Sequence, residues 1–342
     1  MLARPTLVVH ADWSTSPAKR WQAAAVFDRA TNRYRLSAPT LVGDTAGWLA
    51  RLHAQSASSD AGSFPVFSDR SAESPQPADN ASSVFLGVDF PIGLPLAYAR
   101  RAGVTGFLDL LPRLGAGKWA EFYRPAEAPE QIGLRRPFYP ARPGHARQQY
   151  LLDALDVAQM DDLRRRCDRG HAARRAAAPL FWTMGAQQVG KAAISGWRDA
   201  LGPALRAGEA VALWPFAGPL GALLARGGLV VAESYPAEFY GHLGMSFSRA
   251  TGGKRSRSAR ASNAPALLRW AAANPVALDG DLTAAIRGGF GNSADGEDRF
   301  DAVVGLMGML NVLFGHRPSG EPENEAVRRV EGWILGQTAG DG

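Results

Sequence analysis

Cysteine is nearly absent: Cys167 stands alone among 342 residues. An internal disulfide framework and any multi-cysteine metal site are excluded, and a reduced, cytoplasmic setting is expected. Long apolar runs are missing as well. Stretches such as "GGLVVAES" fall far short of the roughly 20 residues that cross a bilayer. The opening "MLARPTLVVHADWS" has neither the apolar segment nor the small-residue cleavage site of an export signal. No membrane role is expected. Histidine is scarce, and the six present show no H-E-x-x-H or other zinc spacing. His10, His171 and His242 therefore read as structural or solvent-facing, with a supporting role conceivable for His10, two residues from Asp12 on one strand face.

What is present is the composition of a folded globular protein, 46% apolar and 20% charged, with a net charge of +6. "LRRRCDRGHAARR" (163–175) and "GGKRSRSAR" (252–260) hold much of the basic excess. Such clusters attract phosphates, nucleic-acid backbones included, although a charge run alone is more often a solvated helix face.

"TLVVHAD" (6–12) reads as a buried strand, and "QAAAVFDRATNRYRLSAP" (22–39) as two more joined by a turn at Asn32. Residues 43–55 have helical spacing, 56–83 read as a flexible surface loop, and "VFLGVD" (84–89) is the next strand. From 96 to 180 the chain reads as a mostly helical insertion, with helical patterns near 104–114 and 146–178. "AVALWPF" (210–216) and "LVVAES" (229–234) resume the strands, and 262–274 and 297–314 are helical. This order predicts one α/β domain over 1–342, a mixed sheet flanked by helices, with the insertion following the fourth strand.

The apolar strand in "FLGVDFPIGLP" (85–95) delivers an acid where a core strand should simply stop. Asp12 and Glu233 end strands in the same way, and Asp298 and Asp301 share one face of the last long helix. There Asp301, Gly305 and Gly308 form a stripe of short residues that lets the helix approach the sheet. A strand-end Asp is commonly only a turn former or helix cap. Several converging at one sheet edge repel each other unless a cation lies between them, and oxygen-only ligands point to Mg²⁺ or Mn²⁺. Two such ions can drive phosphodiester hydrolysis.

"GVDFPIGLP", "VVAESYPAEFY", "GGKRSRSAR" and "DRFDAVVGLM" resemble the motifs of the family called domain of unknown function 429. "RRCD" (165–168), "FWTMGAQQVGKAAISGWRD" (181–199) and "EGWIL" (331–335) look like further blocks of its longer members. The resemblance implies a ribonuclease H-like fold and a predicted nuclease. It makes Asp12, Asp89 and Asp301, helped by Asp298, the metal ligands, adds Glu233 as a further catalytic acid, and turns Lys254 and Arg260 toward substrate phosphates. The implied partner is nucleic acid or a phosphorylated small molecule. Trp13 departs from the small residue usual after the first aspartate and would narrow access.

Two rivals share these features. A phosphotransferase of the sugar-kinase and actin-like type needs glycines beside the first aspartate, and "ADWSTSPAK" has none. A non-catalytic nucleotide- or nucleic-acid-binding protein would keep the acids for structural reasons. "GAQQVGK" (185–191) matches most of a phosphate loop but continues with Ala192, where a hydroxyl is needed, so Gln187 and Lys191 are expected in a substrate groove instead. "SPAK" (16–19) lacks the companion motifs of a serine acylating enzyme.

Overall fold

A computed structural model describes residues 2–58, 83–144, 146–170, 174–185, 189–248 and 252–338. An eight-stranded mixed sheet runs in the order β6-β7-β5-β1-β2-β3-β8. Its strands are β1 Leu7–Asp12, β2 Trp21–Asp28, β3 Arg33–Leu36, β4 Thr40–Leu41, β5 Ser83–Val88, β6 Val211–Leu213, β7 Gly228–Glu233 and β8 Val276–Leu278, with β4 paired to β2 off the main path. β1, β2 and β3 form an antiparallel meander, as their spacing predicts. β5 joins β1 in parallel, and β7 joins β5 in parallel. Because β4 intervenes, Asp89 follows the fifth strand and not the fourth.

The central parallel strands read as unbroken apolar runs because both their faces are covered. Val9, Ala11, Leu86, Val88 and Val231 face one core, shared with the helix Trp48–Ser58 and the chain that follows β5. Val8, Phe85, Val230 and Ala232 face the other, against the long helix Gly296–Leu313. This alternation decides which strand-end acids can meet, since successive side chains leave a strand on opposite faces.

Three expectations need correction. The region 96–180 is not mostly helical: its described residues form short helices, Leu96–Ala102, Phe107–Leu110 and Gln148–Leu155, among single 3₁₀ turns. Pro112, Pro125, Pro129, Pro137, Pro140 and Pro143 punctuate it, each lacking the N–H a helix interior needs. The helical period expected over 146–178 stops at Leu155, where Asp156 turns into the left-handed region at φ 52°. β8 and the helix Gly280–Arg287 were not expected, a three-residue strand being too short to display an alternation. Of the loop expected over 56–83, residues 59–82 lie outside the described residues, while 56–58 belong to the helix Trp48–Ser58.

The short-residue stripe does what its composition predicts. A Cβ placed on Gly305 would land in the His10 ring of β1, and one on Gly308 in the Phe239 ring. Gly305→Ala should therefore lower stability by about 1–3 kcal/mol in chemical denaturation, the usual cost of overpacking. Alanine is intrinsically the better helix former by about 1 kcal/mol, so the sign is informative. An unchanged or raised midpoint would mean that the helix can move off the sheet freely.

Candidate active site

The parallel register between β1 and β5 sets Ala11 opposite Val88. One step on, the Asp89 amide donates to the Ala11 carbonyl at 3.0 Å, so Asp12 and Asp89 leave adjacent strands side by side. Both fall on the strand parity of the long-helix face: His10 meets Gly305, and Gly87 lies against Met309. From that helix Asp301 reaches the same place. Asp12 and Asp301 are buried, and Asp89 and Asp298 are half-buried.

Charge confirms the convergence. Burial, then the like charges of Asp301 and Asp89, hold the Asp12 carboxyl well above the usual carboxylate range. Burial and Asp301 lift Asp89 to about 7, with Lys254 opposing. Asp298 is pushed to about 6 by burial, Glu297 and Asp301. One cation stands among them: Lys254 Nζ donates to Asp301 Oδ2 and pairs with Glu297 at 3.2 Å. Tyr240 Oη donates to the other oxygen, Asp301 Oδ1, at 2.7 Å. The ammonium and the phenol together fix that carboxylate's orientation.

An acid with a higher pKa folded than unfolded takes up a proton on folding, so its contribution to stability falls as pH rises between the two values. For Asp89 that window runs from about 4, the unfolded value, to about 7. In the presence of a chelator the protein should lose stability from pH 5 to pH 8, and Asp89→Asn should flatten part of that slope. Parallel slopes for the two proteins would show that Asp89 is solvated and uncoupled.

The expected catalytic acid Glu233 is not in this cluster. The register pairs Val88 with Glu233, which puts Ser234 level with Asp89 and sends Glu233 to the opposite face. There Arg165, fully buried, forks onto Glu233 at 2.5 and 2.6 Å and onto Asp168 at 2.9 Å through two nitrogens. Glu233 Oε2 also accepts the Ile92 amide at 2.8 Å. The nearby Glu331 accepts the amides of Leu96 at 3.2 Å and Arg166 at 3.1 Å. Glu233 is thus an anchor for the turn that follows Asp89. Sequence reading had the signal, an Arg and an Asp three apart at 165–168, but nothing to say that the arginine turns inward.

Arg260 is corrected too. It is buried, and its guanidinium donates to the carbonyls of Gly289, Lys254, Arg255 and Gly291 at 2.7–3.0 Å, leaving nothing for a substrate phosphate. Lys254 faces the acids first. Lys191 is half-buried in the helix Val189–Gly196, whose Val189 and Ala192 line the neighbouring cleft. Gln187 and His171 lie outside the described residues. Trp13 does not block the approach: it folds into the core at 5.6 Å from Trp48 and 5.0 Å from Phe90, with its Nε1 on Ser195 at 3.0 Å and Arg20 stacked over it.

The cleft beside the acids has a volume of about 530 Å³. Asp89 and Lys254 form one wall, the loop Ser14–Ser16 with Lys19 another, and Phe90, Pro91 and Ala177 the apolar remainder. Among the described residues no three His, Cys, Asp or Glu side chains are poised together to hold a metal ion, and no helix is long and apolar enough to cross a membrane. The chain matches no family model, no curated protein and no solved structure.

Proposed function

We propose that this protein is a divalent-metal-dependent phosphodiester hydrolase of the ribonuclease H-like type, in line with its resemblance to the domain of unknown function 429 family. The observation that carries the reading is the meeting of Asp12 and Asp89, from adjacent parallel strands, with Asp301 from the long helix, beside an open cleft. Acids on the first strand, on a parallel neighbour and on a late helix form the pattern that the resemblance implies.

The donor set suits Mg²⁺ or Mn²⁺, since every candidate ligand is a carboxylate oxygen. Asp12, Asp89 and Asp301 would hold the ion, with Asp298 behind them. Lys254 now takes part of that role: its ammonium offsets Asp301 and Glu297, and a bound cation has to displace it. A divalent ion here would supply Lewis-acid stabilisation of charge on the phosphoryl oxygens.

The chain's own groups do the rest. Tyr240 keeps Asp301 oriented through Oδ1. Lys254, 38% exposed at the cleft wall, can turn from Asp301 to a phosphate oxygen without leaving the site. Phe90 and Pro91 restrict water around the reacting bond.

The test is hydrolysis of single-stranded, duplex and hybrid nucleic acids and of small phosphodiesters with Mg²⁺ or Mn²⁺, alongside calorimetric metal binding. Turnover that vanishes with chelator supports the reading. No turnover and no metal binding would remove it.

A further inference from the structure

Size and charge of the cleft bear on what it can admit, an argument that rests on the hydrolase reading and deepens it. A volume of 530 Å³ equals a cube roughly 8 Å on a side. That lies in the range of pockets for single small ligands, about 300–1,000 Å³. A duplex cannot enter it, since its major groove alone is about 12 Å wide. Asp12 and Asp301 are buried at the site, so a phosphorus must come to them.

The charges around the cleft point the same way. A protein that tracks a polynucleotide needs a stripe of free Lys and Arg to replace the counterions of many phosphates. Here Lys19, Arg174 and Lys254 are matched by Asp89, Asp168 and Glu233. Arg174 is buried and its guanidinium is spent on Glu238 and the carbonyls of Arg175, Cys167 and Arg169. Lys254 is held by Asp301 and Glu297. Among the described residues Lys19 is the lining cation with no ion pair, exposed at the rim on a loop whose Ser14, Thr15 and Ser16 bring hydroxyls. Arg20 braces this loop from beneath by holding the Ser14 carbonyl at 2.7 Å and the Thr15 carbonyl at 3.4 Å.

We infer that the site takes one nucleotide unit at a time, a strand terminus or a nucleotide-sized phosphodiester, with Lys19 and the Ser14–Ser16 loop gripping its phosphate at the rim. The protein then acts from chain ends. Each turnover forms one P–O bond from water and breaks one P–O ester bond, the proton finishing on the departing oxygen. A nucleoside monophosphate and a shortened chain result.

The experiment compares linear and covalently closed single-stranded DNA of one sequence as substrates. In chelator, the same two molecules and a small phosphodiester then compete for a fluorescent nucleoside monophosphate bound to the full chain. The expected results are cleavage of the linear strand only, and displacement of the probe by the linear strand or the small diester but not by the circle. Lys19→Ala should raise KM about tenfold with kcat unchanged, the loss of one charge-assisted contact. Strand-end and free-diester substrates separate by which of the two is turned over faster. Cleavage of the circle at the linear rate, or displacement of the probe by the circle, overturns the inference while leaving the hydrolase reading intact. If nothing is hydrolysed, the hydrolase reading fails, and the competition alone decides whether the cleft takes single nucleotide units.

Discussion

Asp301→Asn is expected to reduce metal-dependent hydrolysis at least about 100-fold, the scale of the several kcal/mol that correctly held metal ions contribute to a transition state. The protein should stay folded. Asparagine keeps the shape, and its side-chain oxygen still accepts from Tyr240, now bound at Oδ1. Lys254 retains Glu297 at 3.2 Å and, being 38% exposed, can also be solvated. Removing one of several mutually repelling carboxylates should even relieve Asp12, whose carboxyl Asp301 pushes upward. Thermal melting at pH 8 with chelator should therefore show a midpoint no lower than that of the wild type, while steady-state kinetics show the loss. A variant that melts much earlier and keeps its residual rate per folded molecule would make Asp301 a structural residue and sink the assignment.

Arg165→Met is expected to cost about 3–5 kcal/mol of stability, the penalty for breaking a buried ion pair from one side. Arg165 is fully buried, and its fork serves Glu233 and Asp168 at once while Nη1 also reaches the carbonyls of Ile92 and Glu331. Without it two carboxylates remain inside the protein with no cation. Lysine should not rescue it, because one compact ammonium cannot replace a planar fork that bridges two acids. Adding Glu233→Gln and Asp168→Asn to Arg165→Met should recover part of the loss, since the buried charges disappear with their partner. Urea denaturation measures all of these. A loss below about 1 kcal/mol, the value typical of a surface ion pair, would show that water or protonation already satisfies the acids. Because Glu233 also holds the Ile92 amide, the same variant should loosen the turn after Asp89 and lower activity with it.

Much of the frame was legible in the chain. The meander of β1 to β3 announces itself through short β-branched runs around the turn at Asn32, and the long helix through its period and its short-residue stripe. The strand-end positions of Asp12 and Asp89 follow from where apolar runs stop, and Asp301 from helical spacing to Gly305 and Gly308. Helical expectation failed after Leu96 because periodicity cannot see that closely spaced prolines have removed the amides a continuous helix needs.

Local sequence therefore determined the elements and the three aspartates that converge. What it could not determine is which acid ends up with which cation. Glu233 and Asp89 look alike in the chain, each closing an apolar strand. A single step of register places them on opposite faces, one beside Asp12 and Asp301, the other against Arg165. Arg260 and Arg165 likewise look like surface charge until packing turns them inward, one onto carbonyls and the other onto carboxylates. Strand parity and the partners of buried charges are properties of pairing across distant segments, and only the tertiary structure decides them, because the energy of a buried ion depends on what surrounds it and not on what precedes it in the chain.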